Sequence, residues 1–119
     1  MAHYVDGFVV PVRRDRLEDY RQLAEKAGNI WKEYGALEYW ECMGDDVPVG
    51  ELTSFPRSVQ LEDDEVVVFS WIVYESKEQR DAINEKVMND ERLKNMDPAT
   101  LPFDGKRMFW GGFRGLVEL

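Results

Sequence analysis

The sequence has a single cysteine, Cys42, and a single histidine, His3, among its 119 residues. One cysteine excludes an internal disulfide. Cys42 sits in an apolar and aromatic segment, outside any CxxC or Cys/His cluster, and reads as a small buried hydrophobe in a reducing compartment. One histidine leaves no imidazole pair for zinc or non-haem iron, and the scattered carboxylates Asp45, Asp46, Asp63 and Asp64 offer only loose ligation of a hard cation, so no metal is expected. Basic charge is also scarce. Fifteen Lys and Arg face 24 Asp and Glu, a net charge of -9, and the only adjacent basic pairs are Arg13-Arg14 and Lys106-Arg107. Such a field repels phosphate backbones and anionic lipid, which argues against nucleic acid and membrane surfaces as partners. The longest apolar run, Val66 to Tyr74, is interrupted by Ser70 and falls far short of the roughly 20 residues a spanning helix needs. The start of the chain shows neither a basic leader nor a long apolar core, which sets the expectation of a cytoplasmic protein. No glycine-rich loop leads from a strand into a helix, since Gly111, Gly112 and Gly115 fall within a strand pattern, so nucleotide chemistry and a cofactor are not expected.

What is present is a folding sequence: 44% hydrophobic and 13% aromatic, at the ordinary length of one domain covering residues 1–119. Residues 4–12 are dense in β-branched and aromatic side chains and read as a strand. Asp15 followed by Glu18 predicts a capping box, and Leu17, Tyr20, Leu23, Ala24, Ala27, Trp31 and Tyr34 recur at helical spacing until Gly35, predicting a helix over 16–34. A second strand is expected over 36–43. It places Leu37, Tyr39, Glu41 and Met43 on one face and Glu38, Trp40 and Cys42 on the other. Residues 44–64 read as loop, with a short extended stretch at 58–61. Residues 66–74, apolar on both alternating faces, predict a buried strand. Ser76, with Gln79 three residues on, caps a second helix that ends or breaks near Asn89-Asp90, and the Asp104-Gly105 turn opens a last strand over 106–116.

Strand, helix, strand, strand, helix, strand is the split βαβ order of a ferredoxin-like α+β sandwich, with a four-stranded antiparallel sheet and strands one and three at its centre. Helices then cover one face only. Five or six large apolar side chains left on the other face would each forfeit about 1.5 to 3 kcal/mol of burial, so a homodimer packed through the sheet face is expected.

Three segments also resemble a known family: Tyr-Val-Asp-Gly-Phe-Val-Val-Pro-Val at 4–12, Phe-Ser-Trp-Ile-Val-Tyr-Glu-Ser-Lys at 69–77 continuing into Arg80-Asp81, and Pro-Phe-Asp-Gly-Lys-Arg-Met at 102–108 followed by Gly-Gly-Phe at 111–113. Together they are similar to the YbaA-like family, a bacterial domain of unknown function. The resemblance spans nearly the whole chain and implies the dimeric α/β-barrel fold, in which two ferredoxin-like sheets close on each other. It carries no reaction and no catalytic residues with it. Tyr is the commoner residue of that family where this sequence has Trp110, so a pocket shaped by Trp110 would be particular to this chain. The wider superfamily hosts cofactor-free monooxygenases, isomerases and haem-degrading enzymes, an analogy of fold and not of site.

The residues themselves offer a short list of candidates. Asp6 is a carboxylate inside an apolar strand. It either pairs with Arg107, Arg80 or backbone amides, or takes a proton from a small acidic substrate. His3 is the one imidazole but lies at the start of the first strand, where a base would be poorly held. Asp104 and Arg107, with Lys106, form a polar cluster at the opening of the last strand. Trp40, Trp71 and Trp110, from three strands, are expected to line one cavity between sheet and helices that suits a flat aromatic ligand. The leading expectation is a protein that binds a small, possibly aromatic molecule. The competing ones are a cofactor-independent monooxygenase or isomerase using Asp6 or His3, and a non-catalytic structural or interaction module.

Overall fold

The computed structural model describes residues 2–119. Strand β1 (Tyr4–Arg13) leads through a 3-10 turn into helix α1 (Leu17–Glu33), followed by strand β2 (Glu38–Met43) and a single helical turn, α2 (Phe55–Ser58). Strand β3 (Glu65–Tyr74), helix α3 (Lys77–Met88), the short helix α4 (Glu91–Lys94) and strand β4 (Phe109–Arg114) complete the chain. The sheet order is β2-β3-β1-β4 with every neighbour antiparallel. The two strands apolar on both faces are therefore the central pair, in register from Tyr4 opposite Tyr74 to Arg13 opposite Glu65.

Strand alternation divides the sheet into two unlike faces. On the face under α1 and α3, Val10, Val12, Val66 and Val68 pack with Tyr20 and Ala24, while Ile72 and Tyr74 pack with Ile30, Ile83 and Val87. The domain is only 20 Å thick in its shortest dimension, one sheet and one helix layer. The opposite face is covered at one end, where the 44–64 segment crosses and packs Val59, Val47 and Leu61 on Val9 and Val67. The rest stays open: Trp40, Phe69, Phe109 and Phe113 are between 41% and 63% exposed.

Gly35 closes α1 at φ +117°, a backbone conformation that side-chain-bearing residues resist. Ser76 caps α3 by accepting the N–H of Gln79 at 3.1 Å, and the break at Asn89-Asp90 leads into α4. Three local expectations are corrected. Asp15 does not cap α1, because the guanidinium of Arg13 takes its carboxylate at 2.5 Å and the intervening 3-10 turn moves the helix start past it. Residues 58–61 are not extended. Ser54 caps the turn 55–58 by accepting the N–H of Arg57 at 3.1 Å, and Gln60 follows at φ 51°. The last strand begins at Phe109 and not at Lys106, since Asp104 accepts the Lys106 N–H at 2.9 Å and holds the preceding residues in a turn.

Candidate functional site

Asp6 is 1% exposed and lies on the helix-covered face of β1. Its partner is Arg80 of α3, whose Nε reaches both carboxylate oxygens at 3.1 Å and whose Nη2 reaches Oδ1 at 2.9 Å. The Tyr74 hydroxyl lies 3.0 Å from Asp6 Oδ2 and 3.3 Å from Asn84 Oδ1, and the Trp31 indole N–H donates to the same Asn84 oxygen at 3.0 Å. Burial, then the Asp6 charge, keeps the Tyr74 phenol protonated well above its ordinary range, so it serves as a donor. The Arg80 guanidinium sits 5.1 Å from the Tyr4 ring centre and 5.9 Å from that of Trp110, and Trp110 stacks on Phe8. A Cβ on Gly112 would fall 2.5 Å from the Tyr4 hydroxyl and 2.7 Å from Arg80 Nη2, which explains a glycine there. Asp6 is thus held by a guanidinium and a phenol at once, the pairing a buried carboxylate requires.

The other sequence candidates fall in separate places. His3 is near the surface, where its ring and backbone N–H both bond Glu118, and that carboxylate raises its titration above the usual imidazole value. Arg107 joins Glu65 at 2.6 and 2.8 Å, Asp104 at 2.8 Å and the carbonyl of Gln60 at 3.1 Å, binding the turn before β4 to the start of β3. The guanidinium holds both Glu65 and Asp104 below the usual carboxylate range. The three tryptophans do not share a cavity, which corrects the sequence expectation. Trp40 and Trp71 are directly paired across β2 and β3 and stack at 5.6 Å on the open face, whereas Trp110 pairs with Phe8 on the helix face. Register sets this: Trp71 stands opposite Gly7, one residue out of phase with Asp6 and Phe8.

A cavity lies between α1 and the edge strand β2. It has a volume of about 1030 Å³, and Leu17, Tyr20, Ala24, Tyr39, Glu41 and Met43 contribute to its walls. The Tyr39 ring fits beneath α1 because residue 28 is glycine; a Cβ there would lie 2.6 Å from the ring. Tyr39 donates its hydroxyl to Glu41 Oε2 at 2.6 Å, and Tyr20, reaching down from α1, donates to Oε1 at 2.7 Å. Burial first, and the Glu41 charge second, push both phenols far above their ordinary titration range. Glu41 is a functional candidate that the sequence reading passed over. Its signal was the same as that of Asp6, a carboxylate on the apolar face of a strand beside Tyr39 and Met43. Among the described residues no group of His, Cys, Asp and Glu is arranged to hold a metal ion, and no helix is long and apolar enough to cross a membrane.

The chain is 51% identical over 115 residues to the uncharacterized protein YbaA of Escherichia coli strain K12, covering 97% of each, and matches YbaA of Shigella flexneri to the same extent. Among solved structures it is similar to a dimeric ferredoxin-like protein from an uncultured marine organism, covering 100% of both chains at TM-score 0.65 and 12% identity. An uncharacterized NIPSNAP domain protein from Burkholderia xenovorans aligns over 97% of this chain and 94% of its own at TM-score 0.55 and 14% identity. These likenesses carry the ferredoxin-like fold. The model of a family described as proteins of unknown function (DUF1428) matches residues 3–105, and the chain belongs to that family.

Proposed function

We propose that this protein is a small-molecule binder that works as a homodimer, each copy holding its ligand in the cleft between α1 and β2. The observation that carries the binding reading is the cleft itself. Its volume of about 1030 Å³ is at the upper end of the range typical of small-molecule sites, its wall surface is largely apolar, and among the charged groups that line it Glu41 stands beneath α1 with its orientation fixed by two hydrogen bonds. Neither Asp6 nor His3 lines this cleft, so the reading is one of binding and assigns no proton transfer.

The dimer rests on the open face. Across the sheet, Cys42, Phe69, Val9 and Phe109 form one row and Trp40, Trp71, Gly7 and Gly111 the next. The Phe113 ring leans over the two glycines, 3.5 Å from where a Gly111 Cβ would stand. An aromatic surface of this kind exceeds what a soluble monomer ordinarily leaves in water, and one twofold axis covers it on both chains at once. The marine ferredoxin-like neighbour is itself described as dimeric.

Native mass spectrometry of the gently purified protein tests both halves. The expected result is twice the chain mass with a reproducible small adduct. A monomer overturns the dimer, and a bare dimer that takes up no ligand from a mixed small-molecule library overturns the binding role.

A further inference from the structure

The cleft between α1 and β2 has an unbalanced charge. Glu18, Glu25, Glu38 and Glu41 line it against Arg21 and Lys32. Both cations are already engaged: Arg21 bonds Glu18 at 2.8 Å and Glu25 at 2.7 Å along its own helix, and Lys32 Nζ donates to the Leu37 carbonyl at 2.6 Å. Among the described residues, none of the ion pairs reaches Glu41. Its partners are two phenols, which donate hydrogen bonds without bringing positive charge. This sets the half-buried Glu41 apart from the two buried carboxylates, Asp6 with Arg80 and Glu65 with Arg107.

A carboxylate beside apolar walls is costly unless a counter-charge meets it. Each Glu41 oxygen has spent one acceptor position on a phenol and retains capacity for another donor. Resting on the reading that this cleft binds a small molecule, we propose that Glu41 is its recognition group and that the ligand is a largely apolar molecule bearing a protonated amine. An ammonium supplies the missing charge through a charge-assisted hydrogen bond, and the rings of Tyr20 and Tyr39 in the cleft walls favour a cation further. A carboxylate or phosphate ligand would meet four acidic groups against two cations, with Glu41 directly beside it, and is disfavoured.

The test uses three probes of one shape on the full chain: tryptamine, its neutral twin tryptophol and the anion indole-3-propionate, titrated while backbone amide signals are followed by NMR. Tryptamine is expected to move signals of Ala24, Leu37 and Met43 and to bind about tenfold more tightly than tryptophol, the size of one charged hydrogen bond, with indole-3-propionate weakest. In Glu41→Gln the ratio of tryptamine to tryptophol affinity is expected to fall to near one. Equal binding of all three probes at the cleft in the unsubstituted chain overturns the amine assignment and leaves the cleft reading intact. Absence of any shift at those residues with all three overturns the cleft reading itself. The probe series needs no variant, so the inference stays testable even if Glu41→Gln fails to fold.

Discussion

The two faces of this one sheet are built by opposite rules. Under the helices, polar groups are admitted and then held: Asp6 by Arg80 and Tyr74, Glu41 by Tyr20 and Tyr39, Asn84 by Trp31. On the other face the two middle rows carry no charge at all, only Trp40, Trp71, Phe69, Phe109, Cys42, Val9 and two glycines. A buried polar network fixes relative position, because each bond demands a distance and an angle. An apolar aromatic surface demands only cover. The polar groups of the helix face are therefore held within the chain and define how α1 and α3 sit, while much of the open face has no cover within the chain.

Perturbing each face with one substitution separates these rules. The largest effect is expected from Arg80→Met, which leaves the Asp6 carboxylate buried without its countercharge and removes the guanidinium between Tyr4 and Trp110. A loss of about 3 to 5 kcal/mol in urea unfolding is expected, and a loss below about 1 kcal/mol would show that the pair does not hold the helix face. On the open face, Trp71→Asp places a charge at the centre of the aromatic rows. It is expected to weaken dimerisation by at least a hundredfold in sedimentation equilibrium, as for a central interface anchor, with the circular dichroism of the fold retained. Unaltered association would remove this face as the interface.

Much of this contrast was legible in the sequence, and the reasons it was legible mark where it was not. The order of elements, the central pair β1 and β3, and the need to cover a second face all follow from period-two and helical patterns within single segments. Asp6 was conspicuous because an acid inside Val and Phe residues needs a partner, and Arg80 was among the named options. The tryptophans were misplaced because the face a strand residue takes depends on pairing between strands. Nothing in the segment 109–114 alone says that Trp110 stands opposite Phe8 and not Gly7. Glu41 shares a strand face with Tyr39 and Met43, but β2 alternates imperfectly and is an edge strand, so that this face lies inward is settled only by Tyr20 of α1 above it. The Asp15 cap failed for a related reason: Arg13, two residues away, competes for the same carboxylate.

A smaller effect sharpens the account of the helix face. Gly112→Ala introduces a Cβ into the space between the Tyr4 hydroxyl and Arg80 Nη2. About 1 to 3 kcal/mol of destabilisation is expected from the crowding. The same substitution at Gly7, where the nearest group is the Phe113 ring at 3.9 Å, is expected to cost the monomer less. Equal costs at the two glycines would mean that the two faces are equally tolerant of added bulk.

The smallest expected effect lies at the sheet edge, where neither face is at stake. His3 and Glu118 clasp the two ends of the described chain, and the N–H of Gly115 adds a bond to the His3 carbonyl at 2.9 Å. Glu118 raises the His3 titration above its ordinary 6.5, so the contribution of the imidazolium is complete below that value and is lost as pH rises through the raised one. His3 lowers Glu118 from its ordinary 4.5, so that contribution is complete above that value and is lost as pH falls through the lowered one. The clasp is thus strongest between about pH 4.5 and 6.5, and hydrogen exchange at the Gly115 amide is expected to be most retarded in that window after correction for intrinsic rates. Glu118→Gln is expected to return the His3 ring to its ordinary titration by NMR and to flatten the pH dependence of Gly115 protection. If the ring already titrates at 6.5 with Glu118 in place, the two ends are not joined in solution, and both sheet faces would still stand as described.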